Sequence, residues 1–149
     1  MKRPFFYLIV LAIILLDQTF KALINSKMFP GQTIPVLKNF FHLTYVQNTG
    51  AAFGILAGKQ WFLVLVVMLV ILFIMYFHFR LSEFDPLQLP MAFILGGSLG
   101  NLIDRLRLFF VVDYLDLRVW PVFNFADVMI NLGVLLIVVN VLFRHRRGE

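Results

Sequence analysis

The stretch Trp61-Phe62-Leu63-Val64-Leu65-Val66-Val67-Met68-Leu69-Val70-Ile71-Leu72-Phe73-Ile74-Met75-Tyr76-Phe77 contains no charged residue. A helix needs about 17–25 predominantly apolar residues to cross the hydrocarbon core of a bilayer, and this run qualifies. The rest of the chain points the same way. Hydrophobic types make up 61% of the 149 residues and charged types 14%, with 18 phenylalanines, against about 45–50% apolar and about 25% charged in soluble domains. A chain this short keeps a large share of its residues at its boundary, so much of its apolar surface must face lipid. The sequence describes an integral membrane protein.

Working outward from that run, three more apolar segments appear, giving helices expected at about 5–25, 61–79, 87–105 and 122–143. Pro86 and Pro90 suit the loop and first turn of the third. The N-terminal Met-Lys-Arg and the apolar run after it also read as a secretory signal, but Lys21 stands where a small-residue cleavage site would begin, so a retained first helix is expected. An even number of spans puts both termini on one side. Lys2 and Arg3 at one end, and Arg144, Arg146 and Arg147 at the other, hold that side in the cytoplasm by the positive-inside rule. Segments 29–58 and 106–121 then face outward. In the first of these, Phe40-Phe41-His42-Leu43-Thr44-Tyr45-Val46 has strand character between Pro30-Gly31 and Asn48-Thr49-Gly50 turn signals. The expectation is an all-α membrane protein: one domain over 1–149, a four-transmembrane-helix bundle with a small extracytoplasmic β element from residues near 33–56, and Arg118–Val122 as a candidate extra strand.

The formal charge of +5 comes from basic residues flanking spans, without the long basic run that nucleic-acid binding would call for. The absence of cysteine removes disulfides, thiolate nucleophiles and iron–sulfur ligation. No His/Asp spacing resembles a metal site, so neither metal nor cofactor is expected.

Polar residues inside spans cost at least about 2.5–3.5 kcal/mol per central charge and mark function by default. Asp17 and Lys21 are four apart on one face of the first helix and read as an ion pair. If they simply neutralise each other, removing Asp17 alone should be worse than removing both charges. Asn124, Asp127 and Asn131 form one stripe down the outer half of the fourth helix, whereas Asn140, nine residues beyond Asn131, falls on the opposite face. Ala92, Gly96 and Gly100 make a small-residue seam for close helix approach. Gly96-x-Ser98-x-Gly100 also fits a hydrolase nucleophile elbow, but without the strand–turn–helix setting that motif needs; a Ser98–Lys21 dyad is the alternative it leaves open. Asp113 and Asp116 follow in the next connection.

Five pieces, in order, carry a resemblance: Asp17-x-x-x-Lys21; Asn48-Thr49-Gly50-Ala51-Ala52-Phe53-Gly54; Gly96-Gly97-x-x-Gly100-Asn101-Leu102-Ile103-Asp104-Arg105; Val112-Asp113-Tyr114; and Phe123-Asn124-Phe125-Ala126-Asp127. Together they resemble the lipoprotein signal peptidase (signal peptidase II) family of bacterial inner membranes, departing at Phe125, where that pattern is usually aliphatic. The resemblance implies an aspartic endopeptidase that cuts a prolipoprotein just before its diacylglyceryl-modified cysteine. Asp113 and Asp127 would be the catalytic pair, with Asp17, Lys21, Asn48, Gly50, Asn101, Asp104, Arg105 and Asn124 supporting or binding substrate. It further implies no cofactor, a monomer among membrane lipids, and binding of cyclic peptide inhibitors such as globomycin.

Two other classes compete. A proton-conducting subunit would use Asp17, Lys21, Asp104 and Asp127 as a relay, but its acids should lie at several depths, and here they crowd the outer half. A membrane assembly factor would need only the small-residue seam. The expected orientation is checked with cysteines placed at Lys38 and Arg147. An impermeant thiol label applied from outside should reach Lys38→Cys and not Arg147→Cys, and the reverse pattern overturns the topology.

Overall fold

A computed structural model of the chain describes residues 1–50 and 56–147, with side chains as far as 143. Ala51, Ala52, Phe53 and Gly54 of the second motif, and the C-terminal arginine side chains, therefore lie outside the described residues. In chain order the elements are α1 (Arg3–Lys27), β1 (Thr33–Leu37), β2 (Phe41–Asn48), α2 (Gln60–Arg80), α3 (Gln88–Leu108), β3 (Val111–Asp116) and α4 (Phe125–Arg147).

Local chemistry explains where the helices stop. In α1, proline stands in the first turn, where its missing N–H costs nothing. The helix closes with the Met28 N–H donating to the Ile24 carbonyl at 2.9 Å. Before α3, Asp85 Oδ1 accepts the Leu87 N–H at 2.8 Å. That helix ends at Phe109, whose φ of 64° is left-handed and breaks the helix much as a C′ glycine would.

α3 is the buried axis of the bundle, flanked by α1, α2 and α4, and its inward positions run from Gln88 to Arg105. In lipid, no hydrophobic force draws apolar helices together, so close packing of small residues must do it. A Cβ on Gly96 would come within 2.8 Å of Ile13 in α1, one on Gly97 within 2.4 Å of the Ala126 carbonyl in α4, and one on Gly133 within 2.7 Å of the Pro90 carbonyl. Of the expected seam, Gly96 and Gly100 meet α1, while Gly97 and Gly133, outside that seam, let α3 and α4 approach as closely. By contrast, α2 buries only Leu63, Ile74 and His78 and exposes Trp61, Phe62, Leu65, Leu69, Leu72 and Phe73, as a lipid-facing helix should.

Among the described residues three helices, α1, α2 and Phe125–Phe143, are long and apolar enough to cross a membrane by length and composition. α3 matches α2 in length but carries Asn101, Asp104, Arg105 and Arg107 toward its end. At the other end of the bundle the Met1 amino group donates to the Glu83 carbonyl, and Arg3 lies 3.8 Å from the Glu83 carboxylate. The N-terminus and the α2–α3 connection thus share the end opposite the sheet.

The β element is a three-stranded antiparallel sheet in the order β1-β2-β3. β2 covers the expected strand, but the third strand is Val111–Asp116 rather than Arg118–Val122. Arg118 has φ of 66° and Pro121 lacks an N–H, so 118–122 turns instead of pairing. After the turn only an isolated bridge forms, between Leu115 and Phe123. This also moves the start of the fourth helix from the expected 122 to Phe125. One face of the sheet packs Tyr45, Val112 and Tyr114 with Met28 at the end of α1. A separate apolar cluster of Phe6, Val10, Ile74, Met91, Ala92, Ile94 and Leu95 fills the bundle.

The α3–α4 contact makes a sharp prediction. Gly97→Ala places a methyl against a backbone carbonyl that cannot move aside, and should cost about 1–3 kcal/mol, read as a lower midpoint of unfolding in detergent. Leu135→Ala, on the exposed side of α4, should change it little. Equal stability of Gly97→Ala and the parent would mean that α3 and α4 are not in backbone contact.

Candidate active site

Between the apolar bundle and the sheet lies a buried polar layer. Its centre is the Lys21 ammonium, 3% exposed. It stands 2.8 Å from Asp17 Oδ2 and 3.1 Å from Asp104 Oδ2, and donates to Asn101 Oδ1 at 2.9 Å. An ammonium has three donors, and all three are engaged. A Ser98–Lys21 dyad is therefore not built, because Lys21 has no lone pair or spare donor to offer, and Ser98 is packed inside α3.

Each carboxylate of this layer also holds a backbone N–H elsewhere. Asp17 Oδ1 accepts the Ala126 N–H at 3.0 Å, and Asp104 Oδ2 accepts the Val112 N–H at 3.0 Å. Ala126 precedes Asp127, and Val112 precedes Asp113. The two buried acids thus fix the backbone immediately before each acid of the expected pair.

Asn124 and Asn101 join the pair itself. The Asn124 N–H donates to Asp127 Oδ2 at 3.1 Å and Asn124 Oδ1 accepts the Asp127 N–H at 3.0 Å, a reciprocal capping box at the start of α4. Asn124 Nδ2 donates to Asp113 Oδ1 at 2.6 Å and to Asn101 Oδ1 at 3.1 Å, while Asn101 Nδ2 donates to Asp127 Oδ1 at 2.8 Å. Asn48 Nδ2, from β2, completes the shell on Asp113 Oδ2 at 2.8 Å. Every amide here uses both ends, so the network itself fixes which atom is oxygen and which is nitrogen.

Asp113 and Asp127 line one cleft of about 530 Å³, with Asn48, Gly50, Asn101 and Arg105 among its walls. Gly50 is held by its N–H donating to Asn48 Oδ1 at 2.9 Å, and its carbonyl accepts Arg105 Nη2 at 2.8 Å. Arg105 Nε is buried without a partner among the described residues. Burial, followed by the negative charge of Asp127, pushes the Asp113 carboxyl up to about 7, against the hydrogen bonds of Asn48 and Asn124 and the charge of Lys21. Two carboxyls in one cleft, one able to hold a proton near neutral pH, can exchange protons with water and a peptide.

The family model described as "Signal peptidase (SPase) II" matches residues 9–143. The chain belongs to the signal peptidase II family. The match to this family of proteases extends over nearly the whole chain. A protein named lipoprotein signal peptidase from Halothermothrix orenii is 44% identical over 143 residues, 96% of this chain and 99% of its own. One from Moorella thermoacetica is 47% identical over 133 residues, 89% of each chain. A bacterial membrane enzyme solved by the in meso method at 2.3 Å resolution superposes with a TM-score of 0.93 at 30% identity, covering 99% of this chain and 93% of that one.

All ten site residues expected from the sequence lie in this constellation: Asp17, Lys21, Asn101, Asp104 and Asn124 in the polar layer, and Asn48, Gly50, Arg105, Asp113 and Asp127 around the cleft. Asp116 is not among them. It accepts from Thr44 Oγ1 at 2.7 Å and pairs with Arg118 at 3.0 Å. Its separation from Asp113 follows from strand alternation, which puts residues three apart on opposite faces. The sequence reading passed over Gln18, whose Nε2 reaches Asp104 Oδ1 at 3.0 Å, Asp17 Oδ2 at 3.2 Å and the Gly100 carbonyl at 3.2 Å. A third polar side chain between Asp17 and Lys21 was its only signal.

The simple ion pair expected of Asp17 and Lys21 is corrected by Asp104: one ammonium faces two carboxylates. This reverses the order of variant stabilities. Asp17→Asn leaves a matched Lys21–Asp104 pair, whereas Asp17→Asn with Lys21→Met strands Asp104 in a low-dielectric layer. The double variant should therefore be the less stable, with the broken pair costing about 3–5 kcal/mol. Unfolding midpoints of both, measured side by side, check it; a milder double variant would restore the two-residue pair.

Proposed function

We propose that this protein removes the signal peptide from diacylglyceryl-modified prolipoproteins, cutting just before the lipidated cysteine, with Asp113 and Asp127 as its general acid and base. The observation that carries the reading is the bridge Asn124 makes between the two carboxyls at one cleft. In this reading α3 is the fourth span, the termini are cytoplasmic, and the cleft opens at the outer face of the bacterial inner membrane. A lipidated substrate suits that depth, because its acyl chains stay in the bilayer while the scissile bond lies at the interface.

Two carboxyls that line one cleft and feel each other's charge are best served by a single proton between them. Asp113, held up near 7, starts with it and polarises the scissile carbonyl. Asp127 takes a proton from the attacking water. The tetrahedral intermediate then collapses as Asp127 passes that proton to the cysteine nitrogen, the C–N bond breaks, and the proton shared with the carbonyl oxygen returns to Asp113. Asn48, Asn101 and Asn124 keep the carboxyls in place through the cycle, so little reorganisation is needed at the moment of reaction. Arg105, bonded to the Gly50 carbonyl, supplies fixed positive charge beside the cleft and positions the substrate. The protein works as a monomer, and cyclic peptides of the globomycin type compete for the cleft.

Purified protein with a diacylglyceryl-modified prolipoprotein and its unlipidated twin tests the reading. Only the lipidated form should be cut. Asp113→Asn and Asp127→Asn should each lower cleavage by on the order of 10^2–10^4-fold with folding intact, and the double variant should be scarcely worse, since the pair acts as a unit. Asp116→Asn should retain substantial activity and Ser98→Ala should be mild. Because the Asp113 pKa is raised, its proton is kept as pH climbs toward 7 and lost above it, so kcat/KM should fall as pH rises through about 7. Full activity in either single Asp variant, or complete loss in well-folded Ser98→Ala, sinks the aspartic assignment.

A further inference from the structure

Asn131 lies on α4 one turn beyond Asp127 and lines the same cleft, yet the network around the carboxyls does not use it. Its Nδ2 donates to the Asp127 carbonyl at 2.9 Å. A carboxamide carries two N–H donors and an acceptor oxygen, so one N–H and Oδ1 remain without a partner among the described residues. The residue is exposed, beside the exposed apolar side chains of Leu132, Val134 and Leu135. An open amide on a lipid-facing stretch is costly unless something satisfies it.

Asn140 provides an internal comparison. It makes the same bond to the carbonyl four residues back, at 2.8 Å to Leu136, but does not line the cleft. Bonding back along the helix is therefore how this helix carries an asparagine in general. What distinguishes Asn131 is its place on the cleft wall, about 6 Å along the helix from Asp127 at 1.5 Å per residue.

A substrate cut beside Asp127 extends from its scissile nitrogen through the cysteine Cα, Cβ and sulfur to the glyceryl carbons and their two ester carbonyls. That linker runs toward the bilayer, the direction in which α4 continues. The diacylglyceryl unit offers acceptors and no donors, and Asn131 offers a spare donor. On the reading given under Proposed function, we propose that Asn131 donates its free N–H to an ester carbonyl of the substrate's diacylglyceryl group and so positions the lipidated cysteine. Bulk phospholipids carry the same ester chemistry, so the test must separate the two sources.

Cleavage is measured in bilayers of diether phospholipid, where the substrate supplies the ester carbonyls, using a diacylglyceryl substrate and its dialkylglyceryl ether counterpart. Wild type should favour the ester by about 3- to 10-fold in kcat/KM, the worth of one hydrogen bond, mainly through KM. Asn131→Leu should lose that preference and cut the ether substrate as wild type does, while Asn140→Leu should keep it. A wild type with no preference overturns the inference without needing any variant. So does an equal loss by Asn131→Leu on both substrates, or a wild-type rate that depends on whether the bilayer lipid is ester or ether and not on the substrate's linkage, which would place bulk lipid at this amide. A wild type that cuts neither lipidated substrate sinks the functional reading itself, and the inference with it; cleavage of both without preference sinks the inference alone.

Discussion

The arrangement depends on one buried ammonium. Lys21 sits in a layer where a lone charge would be prohibitive, and the fold meets that cost by bringing Asp17, Asp104 and Asn101 to its three donors. Buried ion pairs are weak sources of net stability. This one instead sets geometry. Asp17 has an oxygen left for the Ala126 N–H and Asp104 accepts from the Val112 N–H as well, so the ammonium is linked, one carboxylate away, to the backbone on either side of the cleft. Displacing Lys21 would unfix α4 and β3 together.

A second constraint runs through the amides. Asn101 accepts from Lys21 and donates to Asp127, and Asn124 bridges Asp113, Asn101 and the first turn of α4. An asparagine beginning a helix is ordinary, and so is an acid three residues later. Here the same pair that caps α4 also orients both carboxyls, so the fold cannot lose the cap without disturbing the site. Buried polar networks rigidify as their members are satisfied, and both of these amides are held at the oxygen and at the nitrogen.

Much of this was legible in the sequence because it rests on short-range pattern. The apolar runs gave the helices, the strand character of 40–46 gave β2, and the polar stripe on the fourth helix gave Asn124 and Asp127. What was illegible depends on distance along the chain. Asp104 and Arg105 are adjacent and of opposite sign, which suggests a local pair, yet Asp104 turns to Lys21 and Arg105 to the Gly50 carbonyl. Nothing in the spacing of Asp17 and Lys21 announces a third charge. The third strand lies at 111–116 and not at the expected 118–122 for a related reason: the left-handed turns at Phe109, which ends α3, and at Arg118, which ends the pairing, fall on residues that no glycine marks.

The small-residue seam shows why packing and chemistry were hard to separate from sequence. Gly96 and Gly97 can be understood from helix contact alone. Gly100 cannot, because a Cβ there would come within 2.5 Å of Asp17 Oδ2, the oxygen that pairs with Lys21, and its carbonyl also accepts from Gln18. A side chain at this position would push α1 away from α3 at the level of the charges. In a low-dielectric layer the large cost of desolvating the charges is repaid only by close approach and good hydrogen-bond geometry, so even a small separation would leave the ammonium and carboxylates poorly compensated. The glycine that lets the helices touch is thus the condition for the buried charges to be tolerated, and those charges hold the backbone that carries Asp113 and Asp127.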